Sequence, residues 1–178
     1  MKDIDAIPGE RWFPKETTFE SDVEQYWGDW VLMRRPGKEV ENFNAADVRF
    51  SEESLDVDLM RRQHDQVAEI YRSFGVKVFY VERQREDRPN AVFCRDLMFM
   101  TPGGAILTRP AMAARRGEER YVAEALSQLG VPILRTIAGD GMFEGANAMW
   151  VDRYTCVVST GSRCNRTGYE QVKYELER

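Results

Sequence analysis

One histidine in 178 residues is too few for a metal centre built on imidazoles. The three cysteines, Cys94, Cys156 and Cys164, are odd in number and never fall at C-x-x-C spacing, which excludes an obvious disulfide framework or zinc ribbon. They read as reduced thiols of a cytoplasmic protein. No apolar run approaches the roughly 18 residues of a membrane span. The first residues, Met1 to Pro8, lack the apolar stretch of a signal peptide. Basic charge is scarce too: the net charge is -5 and the pI about 5.1, against a general nucleic-acid binder. No carboxylate cluster has metal-ligand spacing, so neither a metal nor another cofactor is expected.

What remains is the composition of a globular α/β protein, 43% hydrophobic and 31% charged, with enough chain for a real core. Residues 1–28 read as a polar, irregular segment with aromatic anchors at Trp12, Phe13, Phe19, Tyr26 and Trp27. Trp30–Met33 reads as a strand, stopped by Arg34-Arg-Pro-Gly37. Residues 38–54 read as a loop. Leu59, Met60, Val67, Ile70, Tyr71 and Phe74 recur at helical spacing, Gly75 supplies a left-handed stop, and Val76–Val81 is a strand. The pattern then repeats. Ala91–Cys94 and Leu97–Met100 read as one strand region, Gly103-Gly104 as a turn, and Ala105–Thr108 as the hairpin partner. A helix carries Val122, Ala125, Leu126 and Leu129 on one face, and Val131–Leu134 is the next strand. A third round has strands near Ala148–Val151 and Tyr154–Ser159, then a helix from about Gly168 with Val172 and Leu176 on one face.

This is a strand-strand-helix-strand repeat. Ser73-Phe-Gly-Val-Lys-Val78 is echoed by Gln128-Leu-Gly-Val-Pro-Ile133 after 55 residues, and Arg109 and Arg163 lie 54 residues apart. The modules fall at about 29–82, 90–137 and 143–178. By that period a third Gly-Val strand belongs near position 185, so the last module reads as cut short and a sheet edge as open to self-association.

Three patches at strand ends carry the chemistry: Asn90-Ala-Val-Phe-Cys-Arg-Asp96, Phe143-Glu-Gly-Ala-Asn147 and Gly161-Ser-Arg-Cys-Asn165. Between the first two lie Leu107-Thr-Arg-Pro110 and Arg115-Arg116. Asp96 suits two parallel hydrogen bonds from a guanidinium; its alternative is an internal ion pair with Arg95. Glu144 sits in a Gly-flanked bend, either facing a ligand or as a solvated turn carboxylate. Arg109, Arg115, Arg116 and Arg163 suit a carboxylate clamp; alternatively Arg115-Arg116 is a solvated helix start beside Glu118-Glu119. Cys94 and Cys164 adjoin arginines, which can lower a thiol pKa, but without a base in reach they read as structural. His64 lies within a helical pattern and reads as a surface or capping residue.

In this order and spacing the motifs resemble the guanidine-modifying (pentein) superfamily, most of all its dimethylarginine dimethylaminohydrolase branch. The resemblance runs from about Trp30 to Leu176. It rests on Arg35-Pro-Gly-Lys-Glu39, Gln63-His-Asp65, Phe93-Cys-Arg-Asp96, Thr108-Arg-Pro110, Arg115-Arg-Gly-Glu118, Glu144-Gly-Ala-Asn147 and Ser162-Arg-Cys-Asn165. It implies an α/β propeller of such modules around a substrate channel, of which this chain carries about two and a half to three.

The resemblance also implies a chemistry. A thiolate attacks the guanidinium carbon, carboxylates grip the guanidinium nitrogens, and a histidine oriented by a glutamate protonates the leaving amine. It places Asp96 and Glu144 in the catalytic machinery, Asp96 on the guanidinium and Glu144 on the histidine. It places Asn90, Asp96, Arg115, Arg163 and Asn147 among the substrate contacts. Two positions depart from the family: Asn90 stands where the hydrolases carry an acidic residue, and Asn147 where many members carry aspartate. His64 matches a family histidine that is not the catalytic one.

The family's catalytic histidine and cysteine are expected beyond Arg178, from further C-terminal modules or a partner chain. The expected function is the N-terminal part of a thiol-dependent hydrolase of arginine-type guanidines. The alternatives are an amidinotransferase, with an amine in place of water, and a non-catalytic binding protein of the same fold. The expected partner is a small guanidine, with neither nucleic acid nor membrane involved.

Overall fold

The computed structural model describes residues 30–41, 55–152 and 154–178. The segment 1–28 and most of the 38–54 loop lie outside the described residues.

β1 (Trp30–Met33) runs parallel to β2 (Lys77–Tyr80), in register from Trp30 opposite Lys77 to Met33 opposite Tyr80. A parallel pair needs a crossover, and α1 (Val57–Ser73) supplies it. Asp56 starts that helix by accepting the Leu59 amide at 2.8 Å. Gly75 ends it in the left-handed region, at φ +82°.

The second round is complete. β3 (Met98–Thr101) and β4 (Gly104–Leu107) form an antiparallel hairpin, α2 (Glu119–Gln128) crosses over, and β5 (Ile133–Thr136) returns parallel to β4. The sheet order is β3-β4-β5. Gly104 is required here: its φ is +144°, and a Cβ would lie 2.4 Å from the Pro132 carbonyl. The third round has the hairpin of β6 (Ala148–Asp152) and β7 (Thr155–Val158), followed by α3 (Arg166–Leu176).

The core lies between α2 and the β3-β4-β5 sheet and continues to the third hairpin. Leu97, Phe99, Ile106, Val122, Leu126 and Phe143 are fully buried. Phe99 meets Phe143 edge-on at 6.2 Å and stacks on Trp150 at 5.7 Å. The Trp150 indole N–H donates to the Met100 carbonyl at 3.0 Å, fastening the third hairpin to the second.

One expected element differs. Ala91–Cys94 is not strand: two tight helical turns, Pro89–Val92 and Cys94–Asp96, occupy the stretch. Proline at the first turn favours this start. The outward carbonyls of Asn90 and Phe93 accept hydrogen bonds from Arg115 instead of from a ladder. Ala91 and Cys94 still face inward, which accounts for the apolar run.

Candidate functional site

Asp96 ends the second tight turn, two residues before β3 begins. Arg115 ends a short helical turn (Ala113–Arg115) before α2. Glu144 precedes the turn Gly145–Asn147 that leads into β6, and Arg163 sits in the Gly161–Cys164 turn between β7 and α3. The second and third modules thus each place an acid ahead of the hairpin and an arginine after it.

Two backbone features bring the modules together. Arg109 and Phe143 exchange both amide hydrogen bonds, at 3.0 and 3.1 Å. Gly145 presses on the second module so closely that a Cβ would lie 2.0 Å from the Met98 carbonyl and 2.3 Å from that of Arg95. Arg95 completes this joint. Its guanidinium donates to the carbonyls of Gly145 and Ala148, at 2.5 and 2.7 Å. It is therefore not the ion-pair partner of Asp96.

The result is a cleft of about 290 Å³ lined by Asn90, Phe93, Asp96, Met112, Arg115, Glu144 and Arg163. Larger grooves exist elsewhere, but their walls are solvated charged side chains such as Arg83 and Glu86, or Arg166 and Glu170. Convergence of polar groups, not size, singles out the smaller cleft.

Both carboxylates in the cleft already hold a guanidinium. Asp96 Oδ2 accepts from Arg115 at 2.6 Å, and Glu144 Oε1 accepts from Arg163 at 3.0 Å and from the Ala111 amide at 3.2 Å. Arg115 is 4% exposed and nearly saturated: it also donates to Glu118 Oε2 from Nε at 3.0 Å and to the Asn90 carbonyl at 3.2 Å. Burial works against its charge, yet Glu118 and Asp96 outweigh burial and raise its pKa. Arg163 donates from one terminal nitrogen to Glu144, and its side chain is a quarter exposed.

The remaining expected residues have other employment. Asn147 donates to the Ser159 hydroxyl at 3.0 Å and does not line the cleft. Arg109 donates to the carbonyls of Gly139 and Gly141, and Arg116 to that of Pro110. His64, on α1, is half-buried away from the cleft, with its pKa lowered chiefly by burial. Burial pushes the Cys94 thiol up to about 12 and Cys156 to about 11, and raises Cys164, so none is an activated nucleophile. Among the described residues no group of His, Cys, Asp and Glu is arranged to hold a metal ion, and no helix is long and apolar enough to cross a membrane.

Glu118 is the residue that sequence reasoning missed. It is fully buried rather than part of a solvated helix start. Its signal was the i,i+3 spacing from Arg115.

The cleft can bind a bipolar ligand. Its geometry is already that of guanidinium–carboxylate recognition, and an incoming guanidinium or carboxylate would exchange with one of its own pairs.

Comparison with known proteins places the chain in a family. The family model described as N,N dimethylarginine dimethylhydrolase, eukaryotic, matches residues 35–177. A dimethylarginine dimethylaminohydrolase of Streptomyces coelicolor is 27% identical over 147 residues, 83% of this chain and 55% of that protein. An uncharacterized protein of Aeropyrum pernix is 33% identical over 90 residues, 49% of this chain and 33% of that one. Among solved structures, the dimethylarginine dimethylaminohydrolase of Pseudomonas aeruginosa in complex with citrulline superposes with a TM-score of 0.72 at 23% identity, over 84% of this chain and 56% of that one. The N-terminal domain of ArgZ, a cyanobacterial arginine dihydrolase, superposes with a TM-score of 0.70 at 18% identity, over 83% of this chain and 54% of that one. The chain spans about half the length of the two dimethylarginine dimethylaminohydrolases and of the ArgZ domain.

Proposed function

We propose, on the premise that this chain belongs to the N,N-dimethylarginine dimethylhydrolase family within the pentein superfamily, that its cleft is the substrate-receiving part of an arginine-type guanidine hydrolase. The observation that carries the reading is convergence. Asn90, Asp96, Arg115, Glu144 and Arg163 come from patches far apart in sequence and line one cleft.

In this reading Asp96 takes the guanidinium with Oδ1, which accepts no hydrogen bond among the described residues, and Asn90 borders the same end. Arg163 takes the substrate carboxylate, while Arg115 stays bonded to Asp96 Oδ2. That exchange releases Glu144 to accept a hydrogen bond from an imidazole. A thiolate attacks the guanidinium carbon, the substituted nitrogen leaves as an amine carrying a proton from the imidazole, and water then releases a urea product from sulfur. The imidazole and thiolate do not come from the described residues of the cleft; further propeller modules or a partner chain would supply them. The incomplete propeller of two and a half to three modules belongs to the same proposal.

The cleft lining holds neither a cysteine nor a histidine, which supports binding without turnover by these residues alone. The test is calorimetric titration of the 178-residue chain with L-arginine and L-citrulline. L-Arginine is expected to bind at least about tenfold more tightly, because citrulline's neutral urea forfeits a charge-assisted bond. Equal binding of the two would contradict the reading.

A further inference from the structure

We propose that Glu118 is a positioning residue of the cleft: it fixes Arg115 from beneath and, through Arg115, the orientation of Asp96. The inference rests on the proposed guanidine site and extends it to a residue that no ligand would touch.

Glu118 is fully buried at the start of α2, three residues from Arg115. Its Oε2 accepts from Arg115 Nε at 3.0 Å and lies 2.9 Å from the same guanidinium's Nη2. One carboxylate oxygen thus sits between two donors on the side edge of the guanidinium and holds that edge in place. The remaining donors then point one way only: Nη1 to Asp96 Oδ2 at 2.6 Å, Nη2 to the carbonyls of Asn90 and Phe93 at 3.2 and 3.4 Å. The residues that Arg115 orients are thus the wall of the cleft. Glu118 Oε1 is buried without a hydrogen-bond partner among the described residues. A carboxylate left half-satisfied in the interior costs stability, so it is an improbable choice as filler.

Burial opposes the ionised form of Glu118, as does Glu119, whereas Arg115 and Arg88 favour it. The third module offers a control. Arg163 donates to Glu144 much as Arg115 does to Asp96, but three residues beyond Arg163 stands Arg166, exposed and paired with Glu170. Among the described residues Arg163 has no acid behind it, and it is the more exposed of the two arginines.

The experiment is NMR on the full 178-residue chain labelled with ¹⁵N-arginine, following hydrogen exchange of the Arg115 Nε–H in wild type, Glu118→Gln and Glu118→Met. The wild-type proton is expected to be protected at least about a hundredfold relative to free arginine. Glu118→Gln keeps an acceptor and is expected to stay within about threefold of wild type. Glu118→Met fills the same space without an acceptor and is expected to lose at least about tenfold. Amide protection in α2 reports whether each variant keeps its fold.

A wild-type Nε–H that exchanges like free arginine overturns the proposal, as does a folded Glu118→Met that stays protected. Should Glu118→Met fail to fold, the Arg115 Nε–H resonance is expected to move in Glu118→Gln, and an unmoved resonance overturns the proposal. L-Arginine titration of the same samples separates the two claims. Failure of wild type to bind refutes the guanidine site, while the exchange data still decide the role of Glu118.

Discussion

The second and third modules are built to one plan and buried to different depths. In each, an acid precedes an antiparallel hairpin and an arginine nineteen residues later follows it: Asp96 with Arg115, Glu144 with Arg163. Yet all of β4 is buried, whereas Met149, Val151 and Val157 of the third hairpin are more than half exposed. The reason is in the composition of the strands. Apart from Thr101, whose hydroxyl donates to the Gly104 carbonyl, Met98-Phe-Met-Thr101 and Gly104-Ala-Ile-Leu107 are apolar, as suits strands covered on both faces. In the third hairpin Ala148 and Trp150 turn inward while Met149 and Val151 turn outward. The same difference reaches the cleft. The buried module backs its ion pair with Glu118, and the third module leaves the Arg163 side chain a quarter exposed.

The contrast in burial sets the largest expected effect. Ile106→Ala removes a fully buried side chain from β4 and is expected to cost about 4 kcal/mol, measured by denaturant unfolding. A cost below about 1 kcal/mol would deny that the second module is the core.

Next comes pH. Burial raises the Glu118 pKa from 4.5 to about 7. The folded state therefore binds a proton that the unfolded state has lost between those values. The Glu118 contribution to stability is expected to be fully present below pH 4.5 and to be lost as pH rises through 7, a slope absent in Glu118→Gln. Unfolding curves at pH 5 and pH 8 for both proteins check the sign.

Smaller is the cap of α3. Asn165 Oδ1 accepts from the amides of Gly168 and Met142, at 2.8 and 2.9 Å. Asn165→Ala is expected to cost about 1 kcal/mol and to loosen Arg163, seen as faster amide exchange in the first turn of α3. Smallest is Val157→Ala, half-exposed on β7 and expected to change stability by less than about 0.5 kcal/mol. A loss comparable with that of Ile106→Ala would mean that the two hairpins are not different after all.

Much of this was legible in the sequence, for local reasons. Gly75 and Gly130 end helices at φ +82° and +77°, where glycine is the cheap residue. Apolar spacing located α1, α2, the two hairpins and the strands after each glycine. The three patches were visible as polar breaks at strand ends, and five of their residues and neighbours, Asn90, Asp96, Arg115, Glu144 and Arg163, line one cleft. What was not legible depends on partners distant in sequence. Ala91–Cys94 carries a strand's composition but is held in turns by Arg115. Arg95 was the nearest candidate for Asp96 and instead reaches carbonyls fifty and more residues away. Glu118 read as solvent-facing because periodicity cannot tell a buried acid from an exposed one when its counter-ion alone makes burial tolerable.

The central claim is that one cleft takes a guanidinium at Asp96 and a carboxylate at Arg163. Its most direct test is calorimetric titration of wild type, Asp96→Asn and Arg163→Gln with L-arginine and with agmatine, which keeps the guanidinium and lacks the carboxylate. Asp96→Asn is expected to weaken both ligands by at least about tenfold, and Arg163→Gln to weaken L-arginine alone. Ligands that bind all three proteins equally, or an Arg163→Gln variant that loses both together, would contradict it.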